Sequence, residues 1–267
     1  AGVNNIPLDR CAKAGIVVFN TPGANANAVK ELVLCGMLLA SRNVPAALTW
    51  AKGLTEDVSK TVEKGKSQFA GHEILGKTLG IVGLGAIGRK VAEAAKALGM
   101  NIVGYDPYYV SGGEGLTVYP DLAEMLPLCD IVTLHLPAND ATKGMVNKEF
   151  LASMKDGAIL LNFSRDKLVN DVDLLVALES GKLTQYVTDF PNDNLIGREH
   201  ITLLPHLGAS TPESEDNCAR MAVEELMEYL ENGNIVNSVN FPNVEMPKAS
   251  AVRICVFHHN VPAVLSK

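Results

Sequence analysis

The stretch Thr78-Leu-Gly-Ile-Val-Gly-Leu-Gly-Ala-Ile-Gly-Arg89 decides the fold of this chain. It begins with a β-rich run, and the turn Gly83-Leu-Gly85-Ala-Ile-Gly88 follows at once. Apolar residues then recur at helical spacing, which predicts an amphipathic helix. A second predicted strand ends at the acid Asp106, eighteen residues after Gly88. Strand, glycine turn, helix, strand and acid together predict a unit of a parallel α/β sheet.

The glycine turn has the spacing that suits a dinucleotide. Gly83 permits a tight turn, Gly85 lets the backbone approach a pyrophosphate, and Gly88 allows the helix to pack closely on the strand. Asp106 can accept hydrogen bonds from a ribose 2′-hydroxyl and would repel a 2′-phosphate, so the pattern favours NAD over NADP. The alternative is a glycine turn that binds nothing. The predicted cofactor-binding residues of this unit are Gly83, Gly85, Ala86, Ile87, Gly88 and Asp106.

Short β-rich runs alternate with helical patterns along the chain. The predicted strands are Thr78–Val82, Asn101–Tyr105, Ile131–Leu134, Ala158–Asn162, Tyr186–Thr188 and Ile201–Leu204. The predicted helices are Ala26–Ser41, Ile87–Leu98, Asp121–Leu126, Asn170–Ser180 and Pro212–Asn232. This alternation predicts an α/β fold with a doubly wound, Rossmann-like parallel sheet. Because a helix and a polar connection precede the glycine turn, we expect this domain to be inserted into a second, truncated substrate domain.

Composition restricts the class of partner. Of 267 residues, 47% are apolar and 20% are charged, which excludes wholesale disorder. The net charge of −7 argues against nucleic acid and anionic membranes as partners, and the longest strongly apolar stretch, Leu32–Ala40, is too short to span a bilayer. Five scattered cysteines without a CxxC pair predict a reduced, cytoplasmic protein with no metal site.

Four reactive side chains each follow a predicted strand. They are Arg165, Asp189, Asp193 and His206. Hydride transfer on a 2-hydroxy or 2-oxo acid needs a guanidinium to bind the carboxylate and a histidine to move the hydroxyl proton. A carboxylate beside that histidine would orient it. Any one of these residues alone would be interpreted as an ordinary surface residue, so the prediction depends on their occurring together after the glycine turn.

His135 and Pro137 belong to the segment Thr133-Leu-His-Leu-Pro137, which also follows a predicted strand. We interpret His135 as lining the cofactor cleft or holding a loop, and not as the proton carrier. His258 and His259 lie beyond a predicted linker and are excluded from this site.

Seven stretches carry a resemblance to a known family. They are Ala1-Gly-Val-Asn-Asn-Ile-Pro-Leu-Asp9, Asn20-Thr-Pro-Gly-Ala-Asn25, Gly83-Leu-Gly-Ala-Ile-Gly-Arg89, Leu134-His-Leu-Pro137, Asn162-Phe-Ser-Arg165, Pro205-His-Leu-Gly-Ala-Ser-Thr211 and Asn237-Ser-Val-Asn-Phe-Pro242. In them the chain resembles the D-isomer-specific 2-hydroxyacid dehydrogenases. The first and last stretches are most similar to the branch of that family that acts on 3-phosphoglycerate.

The resemblance implies a role for each matching residue. Arg165 matches the arginine that binds the substrate carboxylate, and His206 matches the histidine that transfers the proton. Asp189 matches the aspartate that faces the nicotinamide amide, and Asp193 falls where the family usually has the glutamate that pairs with the histidine. The implied reaction is NAD-dependent oxidation of 3-phosphoglycerate to 3-phosphohydroxypyruvate, a step of serine biosynthesis.

The chain departs from the family pattern around these residues. Asp166 stands where a glycine usually follows the arginine, which places a negative charge near an anionic substrate. Asp193 is shorter than glutamate and is reached by about one residue less of chain, and its connection to His206 is also short. These departures bear on the geometry of the acid–histidine pair.

The resemblance also implies an organisation for the whole chain. We expect a fragment of a longer protein, with residues 1–20 and 206–240 belonging to the substrate domain and residues 21–205 forming the dinucleotide-binding domain. Residues 241–252 are predicted to be a linker. The tail from Arg253, with a short strand at Arg253–Phe257, is similar to the opening of an ACT regulatory domain over residues 253–267. The family implies a homodimer that pairs through the helix Ala26–Ser41 and the region around Trp50.

Two other functions stay open from the sequence. One is a dehydrogenase or reductase for a different D-2-hydroxy acid, such as glycerate, glyoxylate or lactate. The other is a binding protein that senses NAD on the same fold without catalysis. Measurable hydride transfer, assayed on a panel of 2-oxo acids, would separate all three.

Overall fold

The computed structural model describes residues 5–109, 115–247, 252–254, 256 and 258. The chain divides into two compact units: the sheet unit, residues 26–210, and the terminal unit, residues 1–25 with 211–267. The sequence placed the corresponding boundaries at 20/21 and 205/206. The block at residues 1–4 and most of the predicted strand and ACT-like segment after residue 252 lie outside the described residues.

The sheet unit contains seven parallel strands in the order β3-β2-β1-β4-β5-β6-β7. Their bounds are β1 Thr78–Val82, β2 Asn101–Tyr105, β3 Leu116–Val118, β4 Ile131–Leu134, β5 Ala158–Asn162, β6 Leu183–Thr188 and β7 Ile201–Leu203. The strand order reverses at β1, which pairs with β2 on one side and with β4 on the other. In sheets of this kind, ligands bind outside the carboxyl ends of the strands at that reversal.

Nine α-helices lie in the described part of the chain. They are α1 Leu8–Lys13, α2 Ala26–Ser41, α3 Val44–Lys52, α4 Val58–Gly65, α5 Ala86–Ala97, α6 Leu122–Met125, α7 Lys148–Ser153, α8 Asp171–Glu179 and α9 Pro212–Asn232. Short 3-10 helices occupy Lys66–Phe69, Leu126–Leu128 and Asp166–Leu168. Among these residues no single helix is long and apolar enough to cross a membrane, whereas α2 and α3 reach that length and composition jointly, with a bend of 69° between them.

Both faces of the sheet are covered, as the apolar strands predicted. In β1, Leu79 and Ile81 belong to the core on the face covered by α2 and α5, whereas Val82 belongs to the core on the face covered by α6, α7 and α8. Successive strand residues point to opposite faces, so a strand buried on both sides is apolar throughout. This arrangement confirms the predicted α/β fold with a doubly wound parallel sheet.

Several elements differ from the sequence prediction. The segment between α2 and β1, expected to be a polar connection, contains α3 and α4. Neither of these helices contains a fully buried residue. The prediction also missed α1, α7 and the three-residue edge strand β3, and it started β6 three residues too late.

The terminal unit is held mainly by pairing between its two chain segments. Phe19 forms an antiparallel bridge with Ser238, and its ring lies 5.6 Å from that of Tyr229 on α9. Ile235 and Val244 exchange two backbone hydrogen bonds of 2.8 and 2.9 Å. The described part of the predicted linker 241–252 therefore includes a residue that is hydrogen-bonded to the rest of this unit.

Candidate active site

The glycine turn between β1 and α5 is sterically closed at two of its three glycines. Gly83 has φ +99°, and a Cβ there would lie 2.5 Å from the carbonyl oxygen of His135. A Cβ on Gly88 would lie 2.0 Å from the carbonyl oxygen of Gly83, so this glycine lets α5 pack against the turn. At Gly85 no described atom lies within 4 Å of a Cβ position. Open space at this position is what a pyrophosphate approaching the backbone requires.

The amino end of α5 points into the same space. Gly85 is the N-cap residue, and no side chain of the described residues caps the helix there. The first backbone N–H groups of the helix, which include those of Ala86 and Ile87, have no acceptor within the helix. Such groups bind anions at helix N-termini.

Asp106 lies beside the glycine turn. Its Oδ2 accepts a hydrogen bond of 2.8 Å from the backbone N–H of Leu84, and its Oδ1 accepts one of 2.9 Å from Tyr108. Each carboxylate oxygen has two lone pairs, so each can accept one further hydrogen bond. The structure thus places a half-buried acid next to the turn, where it can accept hydrogen bonds from a ribose hydroxyl.

His135 directly follows β4. Although the residue as a whole is only half-buried, Nδ1 of its imidazole is inaccessible to solvent and has no partner among the described residues. Nε2 lies 3.0 Å from the hydroxyl of Thr133. Burial lowers the pKa of His135 to about 3, so the ring is neutral at physiological pH. Pro137 is exposed, and its carbonyl oxygen accepts a hydrogen bond of 2.6 Å from the Thr142 hydroxyl.

A buried asparagine fixes the backbone that carries Arg165. Asn162, the last residue of β5, accepts a hydrogen bond from the Ser164 N–H at 3.1 Å and donates one to the carbonyl oxygen of Arg165 at 2.8 Å. The Ser164 hydroxyl donates to the carbonyl oxygen of Leu134 at 2.6 Å, which ties this turn to β4. The side chain of Arg165 is exposed, and Nη1 donates to the Ser164 carbonyl oxygen at 2.6 Å.

Tyr186 completes this buried network. Its hydroxyl lies 3.3 Å from Nδ2 of Asn162, and burial raises the pKa of Tyr186 to about 12, so the phenol stays protonated. The sequence prediction identified Arg165 but not Asn162, Ser164 or Tyr186. The available signal was a run of polar residues directly after an apolar strand, because buried polar groups require hydrogen-bond partners.

Asp189 is buried, with 1% of its surface exposed, and it holds the turn that contains His206. Its two carboxylate oxygens accept backbone hydrogen bonds from Leu207 at 2.8 Å and from Gly208 at 2.7 Å. His206 has φ +58°, a left-handed conformation that a non-glycine residue adopts only when its surroundings impose it. Both oxygens are engaged by this turn, so the role of Asp189 toward a nicotinamide stays a prediction.

Asp193 and His206 do not form the pair that the sequence predicted. Asp193 is exposed, and within the described ranges it forms no hydrogen bond or ion pair with His206. The ring of Phe190 occupies the place beside the imidazole, with 4.8 Å between the ring centroids and 50° between the planes. Asp193 lies in a turn that Asn192 holds, because Oδ1 of Asn192 accepts hydrogen bonds from the backbone N–H groups of Asn194 at 3.0 Å and Leu195 at 3.2 Å.

The predicted site residues share one edge of the sheet. Each follows the carboxyl end of a strand: the glycine turn follows β1, Asp106 follows β2, His135 follows β4, Arg165 follows β5, Asp189 follows β6 and His206 follows β7. Since Arg165 and His206 follow strands that flank β6, the ends of those two strands are about 10 Å apart at a strand spacing of roughly 4.8 Å.

In the described part of the chain, no three His, Cys, Asp or Glu side chains form a group that could hold a metal ion.

Comparisons with known proteins agree with this geometry. Residues 34–208 match the family model for the NAD binding domain of D-isomer specific 2-hydroxyacid dehydrogenases. The D-3-phosphoglycerate dehydrogenase of Methanocaldococcus jannaschii is 35% identical over 94% of this chain and 48% of its own length. That of Haemophilus influenzae is 36% identical over 100% of this chain and 66% of its own length. The chain therefore spans about half to two thirds of these curated relatives.

Solved structures with a similar fold include two enzymes whose names give a small acid as the substrate. The apo form of Rhodotorula graminis D-mandelate dehydrogenase has a TM-score of 0.81 at 26% identity, over 90% of this chain and 72% of that chain. A glyoxylate reductase from Paecilomyes thermophila has a TM-score of 0.76 at 30% identity, over 90% of this chain and 73% of that chain.

Proposed function

The chain belongs to the D-isomer specific 2-hydroxyacid dehydrogenase family, and on that premise we propose that it oxidises 3-phosphoglycerate to 3-phosphohydroxypyruvate, a step of serine biosynthesis. The observation that carries the proposal is the common edge of the sheet, where the turns of Arg165 and His206 lie on either side of β6. The relatives that are called D-3-phosphoglycerate dehydrogenase support this choice of substrate.

The residues around the glycine turn fit the NAD that this family's domain binds. The open space at Gly85 and the uncapped N–H groups of Ala86 and Ile87 suit the pyrophosphate, and Asp106 suits the ribose. When bound, NAD supplies the acceptor for the hydride that leaves C2 of the substrate. His135, Pro137 and Asp189 remain proposed as residues that line the cofactor cleft.

His206 and Arg165 would carry the chemistry on the substrate side. The imidazole of His206 takes the proton of the C2 hydroxyl as the hydride leaves, so that the C2–O bond becomes a carbonyl. The guanidinium of Arg165 binds the substrate carboxylate and polarises the developing carbonyl. Asp189 positions His206 by holding the backbone of its turn. The proposed support of the imidazolium by Asp193 requires a loop movement that brings the carboxylate to the ring.

The test is turnover of the full-length protein with 3-phosphoglycerate and NAD. We expect His206→Gln to lower kcat by about 10²–10⁴-fold, the usual contribution of general acid–base catalysis, and to leave the Kd for NAD unchanged. Arg165→Lys should also impair turnover, because an ammonium cannot bind a carboxylate with two prongs. Equal losses of turnover and NAD affinity in His206→Gln, or no loss of either, would contradict the assignment.

A different D-2-hydroxy acid is the second candidate substrate. It is favoured by the similarity to a D-mandelate dehydrogenase and a glyoxylate reductase. Assays with glycerate, glyoxylate and lactate beside 3-phosphoglycerate separate these substrates. The third candidate, an NAD-sensing protein without catalysis, is favoured by the unpaired Asp193, and the absence of hydride transfer with every acid would support it.

The family resemblance also bears on the assembly and location of the protein. We propose a homodimer formed through α2 and the region around Trp50, in the cytoplasm, with a small anionic 2-hydroxy or 2-oxo acid as its substrate. Exposed apolar side chains on α2 and α3, Leu38 and Leu48, support a covered surface there. Sedimentation of the full-length protein tests the oligomeric state.

A further inference from the structure

We propose that Phe190 is a positioning residue for His206 and takes the part that the sequence assigned to Asp193. Its ring lies beside the imidazole, with 4.8 Å between the centroids. The geometric part of this inference stands on the structure alone, whereas its effect on turnover rests on the proposed function.

The backbone of His206 is fixed, but its ring needs a separate restraint. Asp189 holds the turn by hydrogen bonds to the two residues that follow His206. These bonds set the backbone at φ +58° and leave rotation about the side-chain bonds open. The side chain of His206 is exposed, and in the part of the chain that the structure describes its ring nitrogens accept and donate no hydrogen bond. The contact with Phe190 therefore adds a restraint on an imidazole that has no hydrogen bond to fix it.

Phe190 is itself anchored and can act as a fixed surface. It directly follows the buried Asp189, and its backbone N–H donates a hydrogen bond of 3.2 Å to the hydroxyl of Thr188. Thr188 is the last residue of β6 and is buried. The backbone of Phe190 is thus fixed at the end of β6, between the strands that lead to Arg165 and to His206.

The tilted contact also suits both charge states of the imidazole. Aromatic pairs prefer tilted or offset arrangements with centroids 4.5–7 Å apart. When His206 takes the substrate proton, the resulting cation is centred 4.8 Å from the centre of the Phe190 ring, within the range of cation–π attraction. A carboxylate would do the same by direct charge, and among the described residues none lies within ion-pair distance of this ring. Phe190 therefore supplies orientation together with a modest stabilisation of the protonated form.

The contact can be measured directly by NMR on the full-length protein, without reference to catalysis. This stretch of the protein contains six histidines, and His206→Gln identifies the resonances of His206. We expect Phe190→Leu to shift the imidazole proton resonances of His206, because the ring current of Phe190 is lost. Phe190→Tyr, which keeps the ring, should preserve them. The matched control is Phe69→Leu, which removes a half-buried ring that packs on Trp50 and should leave His206 unshifted.

Kinetics of the same variants test the positioning role. We expect Phe190→Leu to lower kcat by about threefold to tenfold, the ratio that corresponds to one aromatic contact, with the Kd for NAD unchanged. Phe190→Tyr should restore kcat. Unshifted His206 resonances in Phe190→Leu, or shifted resonances with an unchanged kcat, would overturn the proposal. A wild-type protein that transfers no hydride but shows the resonance shift would overturn the proposed function and leave the contact standing.

Discussion

His135 and His206 both follow strands of the parallel sheet, yet their surroundings suit opposite tasks. His135 has its ring buried against Thr133, and burial lowers its pKa to about 3. His206 is exposed on a turn that Asp189 holds by two backbone hydrogen bonds. A ring that stays neutral cannot accept a proton near neutral pH, which is why we propose His206, and not His135, for the acid–base role. Both histidines follow a strand, so position along the chain does not distinguish them. They differ in solvent exposure, because His206 is exposed and Nδ1 of His135 is buried.

His135 makes the stability of the protein depend on pH. Below about pH 6.5 the unfolded chain binds a proton on this ring, whereas the folded protein does not until about pH 3. The free energy of unfolding therefore decreases as the pH is lowered from about 6.5 to about 3. The contribution is about 1.4 kcal/mol per pH unit, or about 2 kcal/mol between pH 6.5 and pH 5.

Urea denaturation of the wild type and of His135→Gln at about pH 7.5 and about pH 5 measures this contribution, since other groups affect both proteins alike. Between these two pH values, the free energy of unfolding of His135→Gln should fall by about 2 kcal/mol less than that of the wild type. The same pH dependence in both proteins would show that the ring is protonated in the folded state.

At the scale of elements, the turn between β1 and α5 uses its glycines for two different purposes. Gly88 removes a clash with the Gly83 carbonyl oxygen, 2.0 Å from its Cβ position, and so serves the packing of α5. Gly85 has φ −69°, which any residue adopts, and its Cβ position is open among the described atoms. The protein itself therefore does not require glycine at 85, and we propose that the open position accommodates a bound pyrophosphate.

Alanine at these two positions should separate stability from NAD binding. Gly88→Ala forces α5 away from the turn, and we expect a loss of about 1–3 kcal/mol in the free energy of unfolding. Gly85→Ala should cost about 1 kcal/mol or less, as a substitution at an N-cap. In Gly85→Ala the methyl group meets the pyrophosphate instead, and a cost of about 1–3 kcal/mol would raise the Kd for NAD by about five- to 150-fold.

Chemical denaturation and calorimetric titration with NAD give both quantities for each variant. Gly88→Ala is the internal control, because it should lower the free energy of unfolding while the variant that remains folded binds NAD with a Kd closer to that of the wild type than Gly85→Ala does. An unchanged Kd for NAD in a fully folded Gly85→Ala protein would argue against a pyrophosphate at this turn.

At the scale of the molecule, the two units differ in how they are stabilised. Both clusters of buried apolar side chains lie within the sheet unit, from Val29 to Leu204. In the described part of the terminal unit, Ile235 is the one apolar side chain that is fully buried. Burial of apolar surface is the main favourable contribution to folding. The sheet unit therefore contains the interactions needed to fold without the chain ends, and the terminal unit does not.

We predict that residues 26–210 alone fold cooperatively and bind NAD. Urea denaturation followed by circular dichroism should show one sigmoidal transition, and titration with NAD should show binding. Residues 211–247 as a separate peptide should show no cooperative transition, since they bury too little apolar surface. An unfolded fragment 26–210 would mean that contributions from the chain ends are required, contrary to the position of the two cores.

The sequence by itself determined the fold class, six of the seven strands of the sheet and the glycine turn. These follow from local patterns: strands buried on both faces must be apolar, and only glycine fits at residues 83 and 88. It also predicted Arg165, Asp193 and His206 as a catalytic set with Asp189 beside them, because polar residues after buried strands gather at the carboxyl ends of those strands. The sequence did not reveal α3 and α4, which contain no fully buried residue.

Only the tertiary structure decided what surrounds each reactive side chain. The sequence paired Asp193 with His206, whereas the folded chain puts the ring of Phe190 there and directs both oxygens of Asp189 to the backbone. Hydrogen bonds and ring contacts between residues on different strands depend on loop lengths and side-chain directions to within about 1 Å, since hydrogen bonds form only over a narrow range of distance. Spacing along a chain does not carry that precision, and the packed sheet supplies it.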